Sequence, residues 1–318
     1  MKGLNPKVEL MDALLAPFVY PAGWVLRRVR LLGIQHLPAC RKALLRMGVF
    51  PISRHYYEPQ FDFRESRGSF SENRPLSGID WNIPGQLALL ESLTFSDELR
   101  DLPIEEPAEL RFYLHNDYFE AGDAEYWYQL IRRKKPRNIY EIGSGYSTLM
   151  AIEAIKKNQQ EDAAYNCNHL CIEPHEMAWL EKTGVVIMRK KVEDIPVSLF
   201  CDLEENDILF IDSSHMIRPE GDVLFEYLQI LPSLKQGVIV HLHDIFSPRN
   251  YPHSWLVDDV KFWNEQYLLE AFLTHNASWK VIGALNFLHH NHHHELKQVA
   301  PFLVPEMEPG SFYIQRIA

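Results

Sequence analysis

The sequence predicts an α/β domain over residues 121–318, a parallel sheet with helices on both faces, preceded by a mainly helical extension over residues 1–120. Two patterns carry this prediction. Five short apolar runs, at residues 138–142, 169–172, 185–188, 207–211 and 238–242, alternate with helical stretches such as 146–157 and 221–231. Runs of that length separated by helices are the signature of parallel strands covered on both faces. A turn at residues 141–148, Glu-Ile-Gly-Ser-Gly-Tyr-Ser-Thr, then joins the first run to the first helix. Two further strand candidates, 279–288 and 311–317, close the chain as a hairpin-like pair, so one antiparallel strand is expected within the sheet.

The extension divides into a basic leader, residues 1–57, and a lid-like segment, residues 58–120. The leader holds nine Lys and Arg against Glu9 and Asp12, a balance of +7, and no acid lies between Ala13 and Tyr57. The chain as a whole carries −11, so the rest carries −18. The leader is also apolar, through Leu14, Leu15, Phe18, Val19, Trp24, Val25, Leu31 and Leu32. Pro17, Pro21 and the arginines are expected to interrupt it before the roughly 18–20 apolar residues of a membrane-spanning helix. Its arginines follow the apolar run, whereas a secretory signal places charge before it. Two uses remain open: an arm packed on the body or a second subunit, giving a homo-oligomer, or peripheral contact with an anionic membrane. Residues 55–80 read as an ordered, turn-rich loop and residues 84–93 as a helix. Gly122-Asp123-Ala124-Glu125 opens a capped helix that ends in Arg132-Arg133-Lys134-Lys135-Pro136.

Composition narrows the function. With 46% hydrophobic and 24% charged residues over 318 positions the chain is globular, and its negative balance argues against nucleic-acid partners. Four cysteines, Cys40, Cys167, Cys171 and Cys201, form neither a disulfide framework nor paired CxxC metal ligands, so a cytoplasmic location is expected.

Glycines at a strand-to-helix turn let backbone N–H groups approach a ligand, and the helix N-terminus favours a carboxylate or phosphate. Here Thr148 replaces the third glycine of the dinucleotide pattern, and Glu141 stands two residues before the first glycine. Glu173, at the end of the next strand, is placed to take both ribose hydroxyls of an adenosine. At these residues the sequence resembles the class I S-adenosylmethionine-dependent methyltransferases, specifically a bacterial group found in glycan and natural-product gene clusters. The resembling stretches are Gly78-Ile79-Asp80-Trp81-Asn82, residues 122–125, residues 141–148, Ile211-Asp212-Ser213-Ser214-His215, His241-Leu242-His243-Asp244-Ile245-Phe246 and residues 262–269. The resemblance implies a Rossmann-like methyltransferase sheet of seven strands, the last antiparallel. It implies adenosylmethionine held by Glu141, Gly143, Ser144, Gly145 and Ser147, ribose on Glu173, and adenine near Glu193 and Asp194.

The acceptor is expected above the carboxyl ends of the fourth and fifth strands, where Asp212, His215, His243 and Asp244 follow their apolar runs. Methyl transfer to a hydroxyl needs alignment and removal of a proton, and a histidine suits the second task. His215 is the first candidate base and His243 the second, with Asp244 beside them. Asp212, His243 and Asp244 are alternatively ligands for Mg²⁺ or a similar ion that lowers the acceptor's pKa. Asp212 otherwise bonds the cofactor's ammonium group, and Asp244 caps the following turn. Trp255, Trp263 and Glu265 either line the acceptor pocket or belong to the core. Five histidines in His289-His290-Asn291-His292-His293-His294 read as an exposed loop that binds nickel adventitiously.

The function expected is methyl transfer to a hydroxyl of a small molecule or glycan: a sugar, a glycolipid precursor or a secondary metabolite. Two rivals remain: a non-catalytic adenosylmethionine- or glycan-binding scaffold, and a dinucleotide-dependent oxidoreductase. Thr148 and the terminal strand pair argue against the second.

Overall fold

The computed structural model describes residues 6–53, 55, 57, 58, 70–175 and 177–318. The chain divides into two compact units, Met1–Arg67 and Gly68–Ala318. The division thus comes earlier than residue 120, and described residues of the expected lid-like segment fall within the second unit.

The first unit is helical. A helix spans Pro6–Leu32, a short turn follows at Ile34–His36, and a second helix spans Pro38–Met47 and ends on Gly48 in the left-handed conformation. Pro17 and Pro21 lie inside the first helix without ending it. Each proline removes one backbone donor, and the chain on either side keeps its helical dihedrals. Among the described residues of this unit only Leu44 is buried. The part of the expected 55–80 loop at residues 59–69 lies outside the described residues.

The second unit is a seven-stranded sheet in the order β3-β2-β1-β4-β5-β7-β6. Its strands are β1 Asn138–Ile142, β2 Asn168–Ile172, β3 Val186–Met188, β4 Ile208–Ile211, β5 Ile239–Leu242, β6 Trp279–Ala284 and β7 Phe312–Arg316. The first five are parallel, and β7 runs antiparallel between β5 and β6. Alternation along each strand divides the core. Ile139, Ile208, Phe210 and Ile239 pack with Trp127, Leu149 and Met150 on one face. Tyr140, Ile142, Leu209, Ile211 and Val240 pack with Val223, Tyr227 and Leu269 on the other. Both faces are therefore covered by helices, which is why these strands read as continuous apolar runs.

The expected strand 279–288 stops at Ala284, and a helix begins at Leu285–Asn291. A short apolar run is ambiguous by periodicity alone, and Leu285, Leu288 and His289 share one buried helical face. The segment before Gly122 secures the sheet's outer strand. Asn82 Nδ2 donates to Val281 O at 2.8 Å, and Ala284 N donates to Gln86 Oε1 at 2.7 Å. Those contacts occupy backbone groups of an edge strand that would otherwise be open to another chain. The helical stretch after Gly221 contains a π turn at Glu226–Ile230, and both Glu226 and Tyr227 face the carboxyl ends of the strands. Strand order reverses between β1 and β4, which puts a crevice at their carboxyl ends.

Candidate active site

The turn after β1 explains its own sequence. Gly143 adopts φ 80°, and a Cβ there would lie 1.9 Å from the carbonyl oxygen of Asp212. No other residue type fits between β1 and β4. Gly145 is extended, and a Cβ on it would meet nothing within 4 Å of the protein, so its surface is open to a ligand. Thr148 does what a third glycine could not: its hydroxyl donates to Glu141 Oε2 and accepts the N–H of Gly145 at 3.2 Å. Glu141 itself is fully buried, 3.1 Å from His169 Nε2, and faces the floor of the turn. It lines neither adjoining cavity. Glu141, expected at the cofactor, braces the loop through Thr148.

Two cavities meet at this turn. One of about 360 Å³ is lined by Gly143, Glu173, Val192, Glu193, Asp212 and Asp222 among others. The other, about 390 Å³, is lined by Tyr118, Ser144, Gly145, Ser147, Trp179 and Asp212 among others. Asp212 borders both. Glu173 is held in place by two backbone donors, Ser144 N at 3.2 Å and His175 N at 2.8 Å, one on each carboxylate oxygen. Asp194, expected near the adenine, is exposed on the short turn Val192–Asp194 and does not line either cavity.

The acceptor side is built from the chain after β4 and β5. His215 and Asp244 both take positive φ, 58° each, in the tight turns that follow those strands. His215 is buried, and its Nδ1 lies 2.8 Å from Glu265 Oε2. Glu265 is itself 1% exposed and accepts the Tyr227 hydroxyl at 3.2 Å on its other oxygen. The Trp263 ring lies 4.3 Å from the imidazole, and the N–H groups of Asn264 and Glu265 donate to the His215 carbonyl. These contacts fix the ring, so that Nε2 faces Asp212 Oδ1 at 3.1 Å and Asp244 Oδ2 at 3.4 Å. Behind it, Asp222 accepts both the N–H and the hydroxyl of Ser214, which holds the turn.

His243 is placed differently. Its Nδ1 is 3.6 Å from Asp212 and from Asp244, its Nε2 is 3.6 Å from Asp123, and Nδ1 makes no hydrogen bond. On this side of the sheet, ligand atoms of Asp212, His215 and Asp244 converge within 4.8 Å of one another. Of the expected metal set Asp212, His243 and Asp244, the two carboxylates belong to this group, and His243 Nδ1 stands 3.6 Å from each of them.

Proton affinities follow from this crowding. Burial opposes ionisation of Asp212, but the charge of His243 and the hydrogen bonds of both histidines hold its carboxyl well below the usual range. Burial raises Asp244, against the pull of His243. Burial would lower His215, yet the hydrogen bonds of Asp212 and Glu265 raise it well above an ordinary histidine. Burial also disfavours charge on His243, and Asp244 and Asp212 outweigh it. Glu226 is pushed up by burial and by Glu265, and accepts the Ser213 hydroxyl at 3.1 Å.

A further cavity of about 360 Å³ extends from His243 and Asp244 past Tyr118, Asp123, Trp255 and Glu306. Trp255 thus has the expected place in a pocket wall. Trp263 and Glu265 do not line that cavity; they position His215. No spacing in the sequence announces the pairing of His215 with Glu265, fifty residues apart. The histidine run is not an exposed loop. It lies on the helices Leu285–Asn291 and His293–Val299, where His289 is buried and bonded to Pro305 O and His290 pairs with Glu308.

The chain is similar to several known proteins. A family model described as a methyltransferase domain matches residues 140–245, which run from β1 to the turn after β5. An uncharacterized protein of Archaeoglobus fulgidus is 31% identical over 176 residues, 50% of this chain and 76% of that one. The O-methyltransferase TomG of Streptomyces achromogenes, involved in tomaymycin synthesis and solved with SAM, is 14% identical with a TM-score of 0.37, covering 72% of this chain and 89% of that one. An O-methyltransferase of Bacillus cereus solved with SAH is 12% identical with a TM-score of 0.38, covering 72% of this chain and 100% of that one. With the family model on the sheet, the glycine turn and both site turns, the chain belongs to the class I S-adenosylmethionine-dependent methyltransferases.

Proposed function

We propose that this methyltransferase modifies a hydroxyl group of a sugar, a glycolipid precursor or a secondary metabolite, with His215 taking the hydroxyl proton. The observation that carries the reading is the fixed imidazole of His215, oriented by Glu265 and facing Asp212 and Asp244. The residues around the glycine turn fit adenosylmethionine. The open surface over Gly145 and the N–H groups of the turn suit its carboxylate, and the half-buried, ionised Asp212 suits its ammonium. Glu173 suits its ribose, and Glu193 lines the same cavity. Bound there, adenosylmethionine supplies a methyl group on a positively charged sulfur.

The protein's own part is alignment and proton removal. Glu265 holds the His215 ring in one orientation, so Nε2 is the nitrogen left to accept a proton. The carboxylates flanking it raise that affinity, so the ring acts as base only once it has lost its own proton, and the rate is expected to climb with pH above the ordinary histidine range. Among the described residues, the acceptor cavity is lined by the acids Asp123, Asp244, Glu306 and Glu308 and by no Lys or Arg. Such a wall suits a neutral or cationic polyhydroxyl compound and disfavours one with a phosphate or carboxylate beside the reacting group. Methyl transfer to sugars and phenols, assayed against amine-only acceptors, tests the reading. Transfer confined to amines would overturn it.

Two outcomes follow directly. Glu173→Ala removes a carboxylate matched to two hydroxyls, and adenosylhomocysteine affinity is expected to fall about 10- to 100-fold, at about 1.5–3 kcal/mol for bonds to a charged group. Calorimetry showing unchanged affinity would remove the ribose from that cavity. The second concerns a metal. The convergence of Asp212, His215 and Asp244, with His215 backed by Glu265, also fits a divalent cation such as Mg²⁺, which would lower the acceptor's pKa. Activity lost on chelation and restored by Mg²⁺ or Mn²⁺ supports this second reading. Full activity with no metal by elemental analysis leaves His215 as the base alone.

A further inference from the structure

Within the first helix, residues 13–26 carry no charge, and Arg27, Arg28 and Arg30 follow at once. None of the helix's described residues is buried. Leu14 is 62% exposed, Phe18 71% and Trp24 61%. At 3.6 residues per turn these side chains do not form one stripe. Leu14, Phe18 and Val25 fall on one face, Val8, Leu15 and Val19 on a second, and Tyr20, Trp24 and Leu31 on a third. A helix that packs on a protein surface needs a single apolar stripe roughly 100° wide, whereas a helix apolar all round needs an apolar medium.

We infer that this helix seats the enzyme in one leaflet of an anionic phospholipid membrane. The uncharged stretch of fourteen residues is about 21 Å long at 1.5 Å per residue, short of the roughly 30 Å hydrocarbon core. Among the described residues no helix is long and apolar enough to cross a membrane. Entry into the headgroup and upper acyl region, with Arg27 and Arg28 at the phosphates, satisfies both the apolar faces and the charges. Charge complementarity selects the lipid. The leader is +7 and the remainder −18, so an anionic surface attracts residues 1–57 and repels the rest. Lys42 and Arg46, exposed on the helix Pro38–Met47, add to the same attraction. The inference does not depend on which hydroxyl is methylated.

The test uses the full-length chain and sedimentation with vesicles of phosphatidylglycerol and phosphatidylcholine, against phosphatidylcholine alone. Binding is expected only to the first and should weaken with salt. Arg27→Gln with Arg28→Gln should weaken it roughly 30-fold, about fivefold per charge. Leu15→Asp with Phe18→Asp should abolish it at any salt while leaving the melting transition of the sheet unchanged, since neither side chain is buried. If the native chain ignores phosphatidylglycerol vesicles at low salt, the inference fails. It fails equally if the Asp variants keep full vesicle binding, or if their only effect is to dissociate an oligomer in light scattering, which would make a second copy the occupant.

Discussion

His215→Ala is expected to lower kcat by roughly 10²–10⁴-fold while adenosylhomocysteine affinity stays nearly unchanged, the range that loss of a general base produces. The split follows from geometry. His215 lines none of the three cavities described above, yet its Nε2 faces Asp212, which borders both cavities at the glycine turn, and Asp244, which lines the proposed acceptor cavity. Truncation also strips Glu265 of its imidazole partner and leaves a buried carboxylate with only Tyr227, which costs about 1–3 kcal/mol of stability. His215→Gln is therefore the companion variant, since its amide can still donate to Glu265. The chemical loss should persist in the glutamine variant while the melting temperature recovers. Normal turnover at saturating substrates in both variants would remove His215 from the chemistry. Loss of cofactor affinity in both would place it in the wrong cavity.

Gly143→Val is expected to abolish cofactor binding in the accessible concentration range. A branched side chain at φ 80° carries about 1–2 kcal/mol of backbone strain, and its Cβ collides with Asp212 O at 1.9 Å. The turn must move by about 1 Å, and misplacement on that scale costs on the order of 10²-fold. Gly145→Ala is the informative contrast. That Cβ meets no protein atom and its backbone is extended, so the melting temperature should not change. Any loss of adenosylhomocysteine affinity in Gly145→Ala then reports occupation of the cradle itself. Unchanged affinity in both glycine variants would place the cofactor elsewhere.

The sheet was legible because both its faces are buried. Strands such as Ile208–Ile211 are then apolar at every position, and the helices between them keep the spacing regular. The placement of Gly143 and Glu173 was legible because a tight strand-to-helix turn and a strand-end acid are local features. The acceptor side was harder. His215 and Glu265 meet only after the whole sheet has folded, and nothing in one segment encodes the other. His243, which precedes Asp244, packs its ring against Phe119 and Phe210 while its Nδ1 stays 3.6 Å from both carboxylates, a placement its position in the sequence does not announce. Glu141 points into the face of the sheet that Thr148 covers. The helix at Leu285–Asn291 was hidden by an apolar run whose period fits a strand for four residues.

The π turn at Glu226–Ile230 makes the length of its helix a fixed quantity. A regular helix turns about 100° per residue, so a single deletion would restore ordinary pairing and rotate one end against the other by that angle. If the amino-terminal end held its place, with Asp222 on Ser214, then Ile230 and Leu231 would swing off the sheet. If the carboxyl-terminal end held instead, Asp222 and Glu226 would leave Ser214 and Ser213. The turn therefore behaves as a phase offset between catalytic end and core, and insertions or deletions that the surface loops tolerate should be excluded from it.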